Sequence, residues 1–402
     1  MRATETRVPE PLDTLPLSQG RRLAVVDDGA GLAAVPQVLD ADGRWRRAQP
    51  GDGTASALLD VLAAGSTVHD AFTVRSWSTR TATGERSVGV DQTNESVIVG
   101  DAAVVKWATH LQDGPHPAPR RIEVLRAAGF GGMPTPWGVV TWRTPTGADT
   151  VVAYVDDYLP DAVDGWTWAV DLVTAAVRAG EPGGFSAAAA DVGTVVAELH
   201  AALSTSATVA SAADAARWRD DATDTLDTVV RLGHPGAVAR RGEIEVLLSD
   251  LGGLEGTPVI EGHGDLHVGQ VLCSRGRFVV TDFDGNPVLT APERMLPIPA
   301  ALDVAGMTQS LAHAAIVAAK YTDLDPATLA AVSGAGRTAF LDAYTRRLGA
   351  LGHADLFDPA PLRAFRAQQV LREIVYAARH LPRWMYVPDA ALPALLDEGI
   401  PT

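Results

Sequence analysis

The first part of the chain alternates short apolar runs with turn residues. Two further segments have helical spacing, at 55–64 and 120–128. Residues 139–143 and 150–154 predict a β-hairpin. Other strands are predicted at 22–26, 33–39, 67–77, 96–99 and 103–107. The pattern therefore predicts a first part that is rich in β-structure.

After Tyr158 the apolar positions follow a helical period instead. One strand-rich island, from Pro258 to Pro287, interrupts the helical part. Helices are predicted at 165–179, 186–204, 211–231, 237–251, 300–319, 326–349 and 360–381. The spacing changes near 155–160, where we place a lobe boundary. The predicted fold class is α+β.

Composition narrows the range of partners. The formal net charge is -16, so nucleic acid and anionic membrane surfaces are poor partners, since both repel an acidic chain. The one cysteine, Cys273, excludes a disulfide within the chain and argues against a cysteine-based zinc site. Neither a signal-peptide pattern nor an uncharged apolar run of about twenty residues is present. We expect a cytoplasmic protein.

The strand-rich island carries the chemistry. Residues 263–270 read His-Gly-Asp-Leu-His-Val-Gly-Gln, and residues 282–287 read Asp-Phe-Asp-Gly-Asn-Pro. The apolar segments between them predict a hairpin from 270 to 283, which would bring Asp265, Gln270 and Asp282 together. Two carboxylates and an amide oxygen are hard ligands that suit Mg²⁺ held together with substrate phosphates.

The spacing of these residues matches that of a kinase active site. Phosphoryl transfer needs a metal to neutralise charge and one carboxylate to accept a hydroxyl proton. Gln270 follows Asp265 by five residues, as the amide ligand follows the base in a kinase catalytic loop, and Asp282 begins a counterpart of Asp-Phe-Gly. The alternative is that these side chains only form turns or end a strand.

The island resembles the loop of aminoglycoside-phosphotransferase-like kinases, which reads His-Gly-Asp-x-His-x-x-Asn. It is more similar to that of the actinobacterial maltokinases and their relatives, which carry Gln at the last position, as Gln270 does here. The resemblance covers most of the chain and also includes 158–166, 303–307 and 373–384. It implies a bilobal, protein-kinase-like fold with a cap subdomain at 1–90, the rest of the nucleotide-binding lobe at 91–157, and a helical lobe at 158–402.

The resemblance also implies roles for residues outside the island. By it, Asp265 is the base, and Gln270 and Asp282 are the Mg²⁺ ligands. Residues 92–97, which include Ser96, resemble a loop that covers the ATP phosphates. The other implied nucleotide contacts are Lys106 for the phosphates, Glu123 as its partner, and the backbone around Val155, Asp157 and Tyr158 for adenine. Lys106 as a solvated strand lysine and Glu123 as a surface carboxylate are the alternatives.

Two departures from the maltokinase pattern put maltose in doubt. Maltokinases carry Asp-Phe-Glu-Gly-Glu-Pro where this chain has 282–287, and Asn-Arg-Pro-x-Trp where it has His-Leu-Pro-Arg-Trp at 380–384. A related actinobacterial group with a similar pattern phosphorylates glucosamine. An ammonium group calls for carboxylate partners. The candidate substrate residues are His267, Asp284, Asp303, Glu373 and Trp384.

Each substrate candidate also has a structural alternative. Asp303 could cap the helix that follows it, and Glu373 could pair with Arg379. Trp384 could fill core instead of stacking under a sugar, and His267 could brace the loop. His200 is expected to be structural.

The leading hypothesis is ATP- and Mg²⁺-dependent phosphorylation of glucosamine to glucosamine 6-phosphate. The alternatives are phosphorylation of maltose to maltose 1-phosphate, phosphorylation of an antibiotic, and a non-catalytic pseudokinase that binds a ligand. The presence of Asp265, Gln270, Asp282 and Lys106 together argues against the pseudokinase. The sequence leaves the exact sugar and the oligomeric state open.

Overall fold

The computed structural model of the chain describes residues 9–29, 31–88 and 95–398. Every strand pairing in these residues is antiparallel. The strands are β1 (Pro11–Ser18), β2 (Arg21–Asp27), β3 (Leu32–Leu39), β4 (Trp45–Arg47), β5 (Thr67–His69), β6 (Phe72–Ser76), β7 (Glu85–Ser87), β8 (Glu95–Val99), β9 (Ala103–Trp107), β10 (Pro136–Arg143), β11 (Asp149–Asp157), β12 (Thr208–Val209), β13 (Pro258–Val259), β14 (Val271–Ser274) and β15 (Arg277–Val280).

The helices lie mainly after residue 160. They are α1 (Thr54–Ala63), α2 (Ala118–Ala127), α3 (Gly165–Ala179), α4 (Gly183–Leu203), α5 (Ala212–Arg231), α6 (Pro235–Ala239), α7 (Arg241–Ser249), α8 (Ala291–Arg294), α9 (Ala300–Tyr321), α10 (Pro326–Ala350), α11 (Leu362–His380) and α12 (Tyr386–Asp397). Short 3-10 turns lie at Ser204–Ser206, Asp250–Gly253, Val268–Gln270, Ala354–Leu356 and Pro382–Trp384. None of these helices, within the part of the chain that the structure describes, is long and apolar enough to cross a membrane.

The chain forms two compact units. The first comprises the described residues up to 122, with 134–160 and 287–295, and the second comprises 123–133, 161–286 and 296–398. In the first unit, β1 to β4 form one sheet in sequence order, and a seven-stranded sheet has the order β5-β6-β10-β11-β9-β8-β7. The apolar faces of these strands and of α1 bury Phe72, Trp107, Trp137 and Trp142.

The second unit is built around α9. Fifteen residues of this helix are buried, because it packs against α3, α10, α11 and α12. Two helices of this unit begin at capping residues. Asp164 caps α3 by accepting a hydrogen bond from the Thr167 N–H, and Ser211 with Asp214 forms a capping box on α5. A helix that is buried all round can direct polar side chains only at other buried groups.

Most predicted elements are present, and the exceptions have local causes. The predicted helix at 237–251 is two helices, α6 and α7, separated at Arg240. Strand β1 was not predicted, since Pro11 and Pro16 interrupt its apolar pattern. Helix α12 was also missed because it contains Pro393, a residue that normally ends a helix. The division into regions at 1–90, 91–157 and 158–402 stays a prediction.

Candidate active site

The polar loop at 260–270 follows β13 and is shaped by glycines. Gly264 has φ +81°, a left-handed conformation that favours glycine. At Gly262 a Cβ atom would lie 2.8 Å from Oδ2 of Asp303, so only glycine lets the loop approach that carboxylate. The sequence His-Gly-Asp thus folds into a turn that brings backbone N–H groups against α9.

Asp303 on α9 holds this turn. Its Oδ2 accepts from the His263 N–H at 2.7 Å and lies 3.3 Å from His200 Nε2, and its Oδ1 accepts from the Gly264 N–H at 2.8 Å. The side chains of Asp303 and His200 are both 0% exposed, and His200 Nδ1 lies 2.8 Å from the Tyr344 hydroxyl. Asp303 is therefore neither a substrate residue nor a helix cap, contrary to both interpretations of the sequence. His200 is structural, as expected.

The charge of Asp303 is fixed by its partners. Burial acts to raise the pKa of Asp303, but the hydrogen bond and charge of His200, the charge of His263 and the Gly264 N–H outweigh it and hold the pKa below its usual range. Asp303 consequently stays ionised as it binds the loop backbone.

The second half of the loop is clamped by close backbone contacts. Ser310 on α9 accepts a hydrogen bond from the Val268 N–H at 2.8 Å. A Cβ at Gly165 would lie 1.7 Å from the Val268 carbonyl oxygen, and one at Gly306 would lie 2.4 Å from the Leu266 carbonyl oxygen. Two helices thus approach the loop so closely that no side chain fits between them.

His267 lies inside this clamped segment. Its Nδ1 accepts a hydrogen bond from the Gly269 N–H at 3.1 Å. Burial and the charge of His263 lower the pKa of His267 to about 4, although the charge of Asp282 opposes them. The ring is therefore neutral near pH 7, which agrees with the bracing interpretation of His267.

Asp265, Gln270 and Asp282 converge as the hairpin predicted. Nε2 of Gln270 lies 3.4 Å from Oδ2 of Asp282, and the Gln270 side chain is also hydrogen-bonded to Asp265. The Thr281 N–H donates to the Gln270 carbonyl oxygen at 2.8 Å, so the two ends of the hairpin β14–β15 are joined beside the loop. Asp282 is exposed and has φ +65°, a left-handed conformation that residues other than glycine rarely adopt.

Asp265 has an unusual charge state. Burial and the charge of Asp282 raise the pKa of Asp265 to about 7, although the charge of Arg372 and the hydrogen bond from Gln270 act in the opposite direction. A base with a pKa near the working pH can accept a proton and release it again. Arg372 could not be selected from the sequence, since it is one arginine of many in a helical pattern.

The donor atoms at this point fit Mg²⁺. Within the described ranges, no group of three or more His, Cys, Asp or Glu side chains is arranged to hold a metal. The carboxylates of Asp265 and Asp282 nevertheless lie close enough for the charge of Asp282 to raise the pKa of Asp265. The Gln270 side chain lies beside them with its amide nitrogen toward Asp282, so its oxygen would join the set once the amide turns over. Such a small oxygen set suits Mg²⁺, which takes its remaining ligands from phosphates and water.

Glu373 on α11 lies in the field of Asp265. Its Oε1 accepts a hydrogen bond from Gln369 Nε2 at 3.1 Å, and its Oε2 lies 3.3 Å from His313 Nδ1. Burial raises the pKa of Glu373 to about 8, with the charge of Asp265 adding to it and the Gln369 hydrogen bond opposing. Glu373 is thus hydrogen-bonded to Gln369 and lies near His313, and the described residues show no ion pair between Glu373 and Arg379.

Two tryptophans lie beside this region. Trp384 packs edge-on against Trp166, with ring centroids 5.3 Å apart, and Trp166 lies 6.3 Å from the His267 ring. Both tryptophans are half-buried, so the interpretation of Trp384 as core is wrong. Asp284 is half-buried between Phe283 and Gly285, and its role as a substrate residue stays a prediction.

In the first unit, Lys106 lies on β9, an inner strand of the seven-stranded sheet. It lies opposite Ser96 on β8 and opposite Tyr154 on β11. Lys106 Nζ is 3.4 Å from Oδ2 of Asp156, and the Ser96 hydroxyl is buried without a hydrogen-bond partner among the described residues. Lys106 is only 29% exposed, so it is not a freely solvated strand lysine.

The positions of the other predicted nucleotide-binding residues do not show how a nucleotide would bind. The N–H groups of Asp157 and Tyr158 donate to the carbonyl oxygens of Thr135 and Ala102, and Val155 belongs to the β11 ladder. Adenine would therefore have to use other groups of this segment. Glu123 is half-buried on α2, and its pairing with Lys106 stays a prediction. Residues 92–94 of the predicted phosphate loop lie outside the described residues.

Known proteins resemble the whole chain. A glucosamine kinase of Mycolicibacterium smegmatis is 63% identical over 399 residues, which cover 97% of this chain and 99% of that protein. A glucosamine kinase of Streptacidiphilus jiangxiensis is 45% identical over 418 residues, covering 99% and 94%. A solved glucosamine kinase in complex with glucosamine, ADP and inorganic phosphate has a TM-score of 0.85 at 43% identity, covering 98% of this chain and 95% of that one. No protein-family model matches the chain.

These similarities define the class first. The relatives and the fold are those of ATP-dependent phosphotransferases, and the predicted α+β fold with a helical C-terminal part is confirmed. Within that class, the chain belongs to the glucosamine kinase family. The predicted kinship with actinobacterial glucosamine kinases is confirmed as well.

Proposed function

We propose that the chain phosphorylates glucosamine on its 6-hydroxyl with ATP, yielding glucosamine 6-phosphate and ADP. The observation that carries the proposal is Asp265, a loop carboxylate with a pKa near 7 that lies against Gln270 and Asp282. Identity of 63% over nearly the whole length to a glucosamine kinase supports the choice of sugar.

Asp265 would act as the base. It accepts the proton of the sugar hydroxyl as the oxygen forms its bond to the γ-phosphorus and the bond from that phosphorus to the ADP oxygen breaks. Arg372 opposes the rise in the pKa of Asp265 and thereby keeps a fraction of this carboxyl ionised near neutral pH.

Gln270 and Asp282 would hold Mg²⁺, which neutralises phosphate charge when it is bound. By the resemblance to kinases, Lys106 would provide a positive charge that binds nucleotide phosphate. Because Lys106 Nζ lies 3.4 Å from Asp156, that carboxylate holds the ammonium group in place before the nucleotide binds. We also propose a cytoplasmic location, where ATP is available.

Glu373 would bind the sugar ammonium group. It is a half-buried carboxylate that lies close enough to Asp265 for the charge of Asp265 to raise the pKa of Glu373. A cationic ligand would stabilise the ionised form of Glu373 and offset the cost of its burial. Trp166 and Trp384 offer aromatic surface for the apolar face of a sugar ring.

The test is ADP release with Mg²⁺ and ATP against glucosamine, N-acetylglucosamine, glucose, maltose and an aminoglycoside. Glucosamine should give the highest kcat/KM, and Glu373→Gln should lower it for glucosamine but not for glucose. Highest turnover with maltose or with the aminoglycoside would overturn the choice of substrate. No turnover with any acceptor, despite ATP binding, would indicate a non-catalytic protein.

A further inference from the structure

A line of polar side chains in the second unit takes no part in the proposed chemistry. Gln309 and His313 lie one turn apart on α9, and Arg366 lies on α11. All three are buried, with exposures of 1%, 0% and 6%. Buried polar groups of this kind are costly unless each is hydrogen-bonded, so the direction of every bond in the line carries information.

The bonds have a defined direction that begins at Arg366. Nε of Arg366 donates to Gln309 Oε1 at 3.0 Å, and an arginine can only donate. The opposite end of the Gln309 amide, Nε2, then faces His313 Nε2 at 2.9 Å as a donor. Nε2 of His313 must therefore accept, and the single proton of the neutral imidazole must lie on Nδ1.

Arg366 is itself anchored. Its two terminal nitrogens donate to both carboxylate oxygens of Glu398, at 2.6 and 2.9 Å. This bidentate pair fixes the plane of the guanidinium group and, through it, the orientation of the Gln309 amide. The line thus runs from Glu398 through Arg366 and Gln309 to His313.

The far end of the line is Glu373. His313 Nδ1 lies 3.3 Å from Glu373 Oε2, and both atoms are buried without a hydrogen-bond partner among the described residues, so the contact between them falls short of hydrogen-bond geometry. Gln369 already binds the other oxygen of Glu373. An unsatisfied Nδ1–H of His313 thus lies beside an unsatisfied oxygen of Glu373, and a small shift of either side chain would join them.

We propose that His313 is a positioning residue for Glu373, with its tautomer imposed by Glu398, Arg366 and Gln309. The Gln369 amide holds one carboxylate oxygen, and the Nδ1–H of His313 closes on the other when the acceptor binds, which orients Glu373 toward the ammonium group. This inference rests on the proposed role of Glu373 in binding glucosamine.

The electrostatics agree with this geometry. Burial, the charge of Arg366 and then that of His267 lower the pKa of His313 to about 3. The imidazole therefore stays neutral near pH 7 and donates only one proton. A neutral donor orients the Glu373 carboxylate without cancelling the charge that the ammonium group requires.

The first test reads the tautomer directly. In protein labelled with ¹⁵N-histidine, the His313 ring signals, assigned by their loss in His313→Asn, should be those of a neutral ring protonated on Nδ1. A ring protonated on Nε2, or an imidazolium near pH 7, would overturn the proposal. This measurement needs neither the acceptor nor an active enzyme.

The second test is kinetic. His313→Leu removes the donor and should raise KM for glucosamine by about tenfold or more, with kcat and KM for ATP little changed, because a charge-assisted hydrogen bond is lost from the binding site. His313→Asn places an amide donor near the position of Nδ1 and should restore much of the affinity. His353→Leu, a half-buried histidine outside the line, is the matched control.

The outcomes separate this inference from the proposed function. If wild type does not turn over glucosamine, the proposed function fails. If Glu373→Gln raises KM for glucosamine but folded His313→Leu does not, only the positioning role fails. If His313→Leu does not fold, Gln309→Leu takes its place: it removes the bond that sets the tautomer, and an unchanged KM for glucosamine would overturn the proposal.

Discussion

Two carboxylates at one loop behave in opposite ways. Asp303 is completely buried, yet its pKa lies below the usual range because the hydrogen bond and charge of His200, the charge of His263 and the Gly264 N–H outweigh the effect of burial. Asp265 is only half-buried, yet burial and Asp282 raise its pKa to about 7. The number of hydrogen-bond donors, rather than depth alone, decides which carboxylate stays charged.

The difference assigns separate tasks to the two residues. The carboxylate of Asp303 accepts hydrogen bonds from the backbone N–H groups of His263 and Gly264, which fixes the loop. The carboxylate of Asp265 has fewer hydrogen-bond donors around it than that of Asp303, so it remains able to accept a proton. The structure thus separates the group that holds the loop from the group that would react.

The largest expected effect comes from Asp265→Asn. Since a general base contributes roughly 10²- to 10⁴-fold to a rate, kcat for glucosamine should fall by about that factor while ATP binding is retained. Steady-state ADP release and ATP titration by calorimetry would measure the two quantities. The exposed Asp355→Asn is the control.

Asp303→Ala should chiefly reduce stability. It leaves the N–H groups of His263 and Gly264, and His200, without their shared acceptor, which should cost about 3–5 kcal/mol of unfolding free energy. Urea unfolding against Asp355→Ala would measure the loss. A cost similar to that of the control would mean that Asp303 does not hold the loop.

The two carboxylates should also give opposite pH dependence of stability. The pKa of Asp265 is raised on folding, so wild type should lose stability as pH rises from about 4 to about 7, and Asp265→Asn should escape that loss. The pKa of Asp303 is lowered on folding, so its contribution is present at neutral pH and is lost as pH falls through its folded value.

Melting temperatures from pH 3 to 8 in metal-free buffer would check both signs. As pH rises, the melting temperature of Asp265→Asn should increase relative to that of wild type, and that of Asp303→Asn should decrease relative to it. Parallel curves for the two variants would remove the distinction between the carboxylates.

The smallest effect is expected from Arg372→Gln. The charge of Arg372 lowers the pKa of Asp265, so its loss should raise that pKa and move the rising limb of the kcat/KM profile to higher pH. Arg379→Gln, at an exposed position of the same helix, should leave the limb in place. A shift to lower pH would mean that Arg372 acts on another group.

The features that depend on residues close together in the sequence were predicted correctly. The strands, most helices and the meeting of Asp265, Gln270 and Asp282 follow from local periodicity and one hairpin. The task of Asp303 could not be predicted, because its partners lie about forty residues or more away in sequence and meet it only when α9 is packed. The half-buried position of Trp384 could not be predicted either, since periodicity does not separate core positions from partly exposed ones, and its role as a substrate residue stays a prediction.

The close approaches around the loop bear on how this enzyme could be altered. Gly165, Gly262 and Gly306 allow no added atom without displacing the loop or its anchor, although none is proposed to contact substrate. Residues proposed to face the acceptor lie instead on α3, on α11 and in the turn at Pro382–Trp384. A library aimed at a new sugar would therefore keep the three glycines and Arg372 fixed and vary Trp166, Glu373 and Trp384, which have no proposed part in phosphoryl transfer.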